Sequence, residues 1–401
     1  MRLLRVSSLL LVPVLAFGLC PVFGQSLPVQ AAPAAPQRPA MRTAMLPAVV
    51  SPEVHADRSV TIRYRDGHAG QIMLQLDGRT KQIPMVKGEA GVWSVTTEPL
   101  PPENYGYRVV VDGVRVMDPV NPDVRPNLQF PSSVVRVPGT PPELWEWQNV
   151  PHGEVVHHLY FSKMAAAGTG DNGERNLWVY LPPGYDAKRK LKYPVLYLLH
   201  GYSDDAEGWI TAGQANLIFD NMIAQGRLKP MVVVMPYAYG TEEMLQSGSG
   251  VWADPKGIPT KNQATFSEQM LGEILPMMEA RYDIARDAAH RAIAGLSMGG
   301  GHSLYTGLNH PDVFGYIGAM SSAIVNDDYE AAYAGRSKAA VKLLWISCGT
   351  EDSLITANRK VEAWAKANVK GEVSANETPG IHTWLVWREN LITLAPLLFM
   401  K

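Results

Sequence analysis

The 401 residues are 46% hydrophobic and 18% charged, with 36 Lys and Arg against 38 Asp and Glu for a formal charge of -2. That length accommodates two domains, one of them with a substantial core, and the composition excludes long disorder beyond the first fifty positions. No basic field exists to gather polyanions, so nucleic acid is not an expected partner.

The chain opens on Met1-Arg2-Leu3-Leu4-Arg5, an apolar run from Leu9 to Val22, and Gly24. A basic n-region, an h-region and a small residue at the cleavage point make residues 1–24 an export signal. The run is short, carries Pro13 and Pro21, and meets no later spanning stretch, which disfavours a membrane anchor. The mature chain is therefore expected to be secreted or periplasmic, with no membrane partner. Phe17-Gly18-Leu19 ahead of Cys20 is not a lipobox, and once Cys20 is removed Cys348 is left without a disulfide partner. Residues 25–45, rich in Pro, Ala and Gln, read as a flexible leader.

Residues 46–139 carry short alternating segments, among them Val60–Tyr64, Ile72–Leu76, Val92–Val95 and Tyr107–Val111. Asp-Gly and Pro turns separate them, and Asp112-Gly113 predicts a type I′ hairpin, so this stretch is expected to be an all-β, immunoglobulin-like sandwich. Residues 140–152, with Pro141-Pro142 and Trp145-Glu146-Trp147, read as a proline-stiffened linker whose tryptophans grip one domain or the other.

Residues 153–401 alternate strand and helix patterns. Leu177–Leu181, Val195–Leu199, Met231–Met235 and Val341–Ile346 are strand-like, the apolar runs among them suited to a doubly covered parallel sheet. Phe266 to Tyr282 reads as one amphipathic helix. The fold class is α/β, and no metal-ligand cluster stands out.

Within that domain Gly295-Leu296-Ser297-Met298-Gly299 follows an apolar run and precedes helix-compatible residues. Gly-x-Ser-x-Gly in this setting is a nucleophile elbow, a strained strand-to-helix turn that lifts a serine hydroxyl above the sheet and turns the Met298 N–H toward a developing oxyanion. The partners of such a serine follow as an acid and then a histidine. Only His302, His310 and His382 come after Ser297. The first two share the helix that starts at the serine, which leaves His382, in a Pro379-Gly380 turn, as the base. Asp352, in the loop after the strand ending at Cys348, is the expected acid, with Glu351 in reserve; Asp327 and Asp328 read as solvated. Leu199-His200-Gly201-Tyr202 ends a central strand, so the Tyr202 N–H is the second expected oxyanion donor. His200 reads as structural and Cys348 as buried packing.

Two resemblances rest on these residues. The segment from Ser51-Pro52 through Gly91-Val92-Trp93, Tyr105-Gly106-Tyr107 and Asp118-Pro119 to Val137-Pro138-Gly139 resembles the family 48 carbohydrate-binding modules. From about residue 155 onward the chain resembles the esterase D and carbohydrate esterase family 1 group. The matching motifs are Leu181-Pro182-Pro183-Gly184-Tyr185, Tyr193 to Gly201, Gly208-Trp209, Val234-Met235-Pro236, Gly295 to Gly300, Cys348 to Asp352 and Gly380 to Trp384.

That resemblance implies an α/β-hydrolase fold, Ser297, Asp352 and His382 as a triad, and Tyr202 and Met298 as oxyanion donors. It further implies a serine esterase that needs no cofactor and acts on a feruloylated or otherwise acylated polysaccharide or oligosaccharide, such as feruloylated plant xylan. Acetyl xylan, a siderophore ester, acyl transfer and non-catalytic glycan binding stand as the alternatives. Trp209 and Trp384 are candidate walls for a cinnamoyl ring, and Trp93, Tyr105 and Tyr107 are either core or sugar platforms.

Overall fold

The computed structural model describes residues 48–167 and 171–400; the expected export signal and leader lie outside them. The described residues from the N-terminal sheets to the C-terminus belong to one compact unit.

The N-terminal part is built from two antiparallel sheets. One runs, in spatial order, Glu53–Val54, Val60–Arg65, Val92–Thr96 and Val86–Lys87; the other centres on Glu103–Val111, flanked by Ile72–Leu76 and Ser132–Val137. Alternation puts Val60, Ile62, Ile72, Leu74 and Leu76 into one shared core. Asp112 and Gly113 both take positive φ, 47° and 88°, which is what lets Val111 pair with Val114 across a two-residue turn. Trp93, Tyr105 and Tyr107 belong to this core. Their polar ends are spent internally: Trp93 Nε1 donates to Asp66 O, Tyr105 Oη to Pro101 O, and Tyr107 Oη to Asp118 Oδ2.

The segment expected to be a linker is packed down. Trp145 is buried in the core of the C-terminal domain, and Asn221 Nδ2 donates to the carbonyls of both Leu144 and Glu146 at 2.8 Å. Trp147 stays exposed and stacks on His152 at 5.7 Å between centroids.

The C-terminal part is an eight-stranded sheet of β1 (Glu154–Phe161), β2 (Glu174–Leu181), β3 (Val195–Leu199), β4 (Val232–Pro236), β5 (Arg291–Leu296), β6 (Tyr316–Met320), β7 (Val341–Gly349) and β8 (Gly371–Thr378). Their spatial order is β1-β2-β4-β3-β5-β6-β7-β8, with β2 antiparallel to its neighbours and β3 to β8 parallel. All residues of β3, β4 and β5 are buried, because helices cover both faces and every side chain of a central strand meets one of them. The longer helices are α1 (Ala215–Ala224), α2 (Ile258–Gln269), α3 (Leu275–Arg281), α4 (Met298–Asn309), α5 (Ile355–Asn368) and α6 (Trp384–Leu394). Phe266, Leu304 and Val361 place α2, α4 and α5 on one face; Phe219 and Leu391 place α1 and α6 on the other.

The single helix expected over Phe266–Tyr282 is instead two helices joined by a π turn at Met270–Ile274. Pro276 supplies the reason: it has no N–H for the Gly272 carbonyl, and its ring collides with that carbonyl in regular α geometry, so the turn widens.

Candidate active site

Strand β5 ends at Leu296 and α4 begins at Met298, with Ser297 between them at φ 53°, ψ -114°. Three backbone bonds fix this strained turn: Ser297 N to Met320 O, and Gly301 N and Ala323 N to Ser297 O. Close packing explains the glycines. A Cβ on Gly295 would stand 2.6 Å from Gly299 backbone, and one on Gly299 would stand 2.5 Å from His200 O.

His382 Nε2 lies 3.0 Å from Ser297 Oγ, and His382 Nδ1 lies 2.7 Å from Asp352 Oδ2. The loops that carry the two residues are stitched together, since Thr350 N donates to Thr378 O and Glu351 N to Gly380 O, each at 2.9 Å. Burial alone raises the Asp352 carboxyl, but the His382 hydrogen bond and ring, together with the Leu354 N–H at 2.9 Å, hold it below the ordinary value. It is thus an anion that accepts from Nδ1 and leaves Nε2 facing the serine. Trp387 closes over the imidazole edge-on, 4.9 Å between centroids.

The structure brings together Ser297, Asp352 and His382, while Glu351 points to solvent. His302 is buried, stacked on Phe266 at 5.0 Å, and burial pushes its pKa down to about 3. His200 is a neutral strut: its Nδ1–H donates to Gly201 O and its Nε2 accepts the Ala238 N–H. Cys348 is buried, with its thiol pushed up to about 12, so it carries no thiolate.

Tyr202 lines the cavity with Ser297, and Met298 follows the serine at the start of α4. Gly201 comes so close that a Cβ there would sit 2.6 Å from Leu296 Cδ1 and 3.3 Å from Ser297 Cβ, so a side chain at this position would displace the leucine tip and crowd the serine. Met298 is the first residue of α4, where an N–H has no carbonyl one turn back.

The aromatic walls differ from expectation. Trp209 is fully buried and donates from Nε1 to Leu199 O at 3.0 Å; its role is packing, edge-on against Trp384 at 5.1 Å. Trp384 does line the cavity in front of Ser297, together with Trp387. That cavity, of about 210 Å³, has a second wall from the N-terminal sheets: Asp77, Arg108, Arg125, Asn127 and Phe130. The loop after Arg125 is hydrogen-bonded to the loop that bears Tyr202. Leu128 N donates to Ser203 O at 2.8 Å, Asn127 Nδ2 to Asp204 Oδ1 at 2.8 Å, and Gln129 Nε2 to Tyr202 Oη at 2.9 Å. Asp204 is buried, which pushes its carboxyl up to about 7 despite the Asn127 hydrogen bond and the nearby Arg125. Sequence reasoning missed Trp387, Asp204 and this whole wall. Pro126-Asn127-Leu128-Gln129 signals only a turn, and nothing local says where a turn docks.

An elbow serine on β5, a histidine after β8 and a carboxylate after β7, on a sheet of this order, define the class: a carboxylic-ester hydrolase of α/β-hydrolase architecture. The chain belongs to the Esterase family, described as "Putative esterase", which it matches over residues 169–398. It is 31% identical over 333 residues to an endo-1,4-beta-xylanase/feruloyl esterase of Xylanibacter ruminicola, a match covering 82% of this chain and 43% of that protein. The chain therefore spans less than half the length of this curated relative. Among solved structures, the CE1 ferulic acid esterase of Anaeromyces mucronatus is 26% identical with a TM-score of 0.54, covering 63% of this chain and 93% of that one. The enterobactin esterase of Shigella flexneri shares the fold at 18% identity and a TM-score of 0.61, covering 85% of this chain and 93% of that one.

Proposed function

We propose that the protein is an exported serine esterase of the feruloyl type that releases hydroxycinnamic acids from acylated plant xylan. The observation that carries the catalytic part is the relay from Ser297 Oγ through the His382 ring to Asp352, at 3.0 and 2.7 Å. Ser297 Oγ attacks the ester carbonyl carbon while His382 Nε2 takes its proton and Asp352 stabilises the imidazolium. The carbonyl oxygen, now an oxyanion, receives the N–H groups of Tyr202 and Met298. As the tetrahedral intermediate collapses, the ester C–O bond breaks and the alcohol leaves with the proton from His382. Water then gives a proton to His382 and attacks the acyl-enzyme, and the acid departs as Ser297 recovers its hydrogen.

The acyl preference is supported by the aromatic lining of the cavity, Trp384, Trp387 and Phe130, and by the likeness to a ferulic acid esterase. Export is supported by the Met1–Gly24 pattern. The N-terminal sheets are read as an immunoglobulin-like sandwich of the family 48 carbohydrate-binding type, on their sequence resemblance. With Trp93, Tyr105 and Tyr107 in the core, that domain meets substrate through the loop beside Ser297, not through those rings.

The test is a release assay on methyl ferulate, feruloylated arabinoxylan and acetylated xylan with wild type and Ser297→Ala. Ferulate release that disappears in the variant is the expected result. Acetate release with no ferulate would replace the acyl assignment, and fluorophosphonate labelling that survives Ser297→Ala would overturn the nucleophile.

A further inference from the structure

The wall that the N-terminal sheets contribute carries an unbalanced charge. Arg125 and Arg108 both line the cavity of Ser297 and His382. Arg125 is buried and bound through Nη1 to Asp77 Oδ2 at 2.7 Å. That carboxylate is held in turn by the Gly106 N–H at 3.0 Å. The guanidinium fills the space above Gly106, where any Cβ would collide with it, so the strand is built around this side chain.

Arg108 lies two residues further along the same strand and so faces the same side. It is half-buried, and its Nε and Nη2 donate to the carbonyls of Pro131 and Phe130. Those bonds orient it without cancelling its charge, and among the described residues no carboxylate lies within ion-pair distance of it. Asp77 does bear on Arg108, but that carboxylate is already committed to Arg125 and so offsets Arg108 only in part, while Asp204, the remaining acid of the cavity, is engaged by Asn127. A guanidinium taken partly out of water with no counter-charge of its own is costly, and the cost is recovered when an anion arrives to take the free edge of the fork.

We propose that Arg108, backed by Arg125, is a carboxylate-binding subsite beside Ser297, and that the preferred substrates are esters bearing a carboxylate near the scissile bond. This rests on Ser297 being the nucleophile and goes beyond the feruloyl reading, which needs no carboxylate on either half of the ester. The carboxylate belongs either to the alcohol half, as in an acidic sugar, or to the acyl half, as in the half-ester of a dicarboxylic acid. The guanidinium chemistry is the same for both.

Two matched pairs of esters separate these sources with the full chain. 4-Carboxyphenyl acetate against phenyl acetate reads the alcohol side, and monophenyl succinate against phenyl butyrate reads the acyl side. The readout is the anionic-to-neutral ratio of kcat/KM within each protein, compared between proteins so that intrinsic ester reactivity and general losses cancel. For one pair, the wild-type ratio is expected to exceed that of Arg108→Gln by about tenfold or more, with Arg108→Lys in between. Equal ratios in wild type and Arg108→Gln for both pairs would overturn the subsite. Binding of 4-acetoxybenzoate and of monophenyl succinate, each against its methyl ester, to Ser297→Ala, measured by calorimetry with and without Arg108→Gln, reads the same subsite from both sides without turnover. Loss of all hydrolysis would thus count against the esterase reading alone, while equal binding of acid and methyl ester for both compounds would sink the subsite.

Discussion

The two sides of the Ser297 cavity were assembled by different means. On the α/β side, each reacting group sits at the end of a sheet strand or one turn beyond it: Ser297 after β5, Asp352 after β7, His382 after β8. Their mutual geometry follows from the strand order and from backbone stitches between adjacent loops. On the N-terminal side, Arg108, Arg125 and Asn127 reach the same cavity from another sheet system; the arginines are held within that part, and Asn127 and Gln129 bond across the seam. The first arrangement belongs to the sheet itself, whereas the second depends on loops docked against it, one of which also braces the Tyr202 loop. On the proposed reading, reactivity resides in the α/β part and substrate charge is read by the N-terminal wall.

That division can be broken at several points. The largest effect belongs to the α/β side: Ser297→Ala and Asp352→Asn are each expected to lower kcat by about 10^4-fold or more on any ester, neutral or charged, measured by product release. Next comes the seam. Arg388 on α6 is buried, pairs with Glu103 at 2.7 Å and donates to the carbonyls of Asn104 and Ala212. Arg388→Met leaves the Glu103 carboxylate unpaired and is expected to cost about 3–5 kcal/mol in urea unfolding, a loss that Glu103→Gln partly restores in the double variant. Preserved stability in the single variant would show that the domains are joined by other means.

Gly201→Ala places a methyl against Leu296 Cδ1 and Ser297 Cβ and so presses on the Tyr202 loop. It is expected to reduce kcat by roughly a hundred- to a thousandfold with KM for a small ester little changed, the pattern of a lost transition-state donor. The smallest effect concerns Asp204. Its folded pKa, about 7, lies above the ordinary carboxylate value of 3.8. Between about pH 4 and pH 7 the folded protein keeps a proton that the unfolded chain has lost, so this group lowers stability as pH rises through that window. Asp204→Asn removes the dependence: relative to wild type, its unfolding free energy is expected to gain with pH up to about 7 and then level off, by on the order of 1–3 kcal/mol. A constant difference across pH 4 to 8 would contradict it.

What could be read from the sequence follows the same boundary. The elbow is a local pattern with a steric cause, and chain order with only three later histidines left His382 as the base. Asp352 was placed by the rule that open sheets collect their chemistry at strand ends. Trp209 was misplaced because a tryptophan one turn after a catalytic loop reads the same whether its indole faces substrate or, as here, Leu199 O. The break in the helix at Met270–Ile274 depends on Pro276, a residue whose local cost was visible but whose resolution, a wider turn, was not. Glu103 and Arg388 are 285 positions apart, and no periodicity connects them. Contacts of that kind need the fold first.

The burial of Trp145 and the Arg388 clasp also bear on recombination. Helix α6 begins two residues after His382, so one rod carries the base at its start and the interdomain clasp at its middle. A chimera cut at residues 140–152, where composition invites a joint, would pair Arg388 and Ser203 with foreign partners and strip Trp145 from its socket. An exchange that moves residues 103–131 together with α6 keeps both faces of the seam matched. For shuffling among relatives, the heritable block is that interface, not either domain.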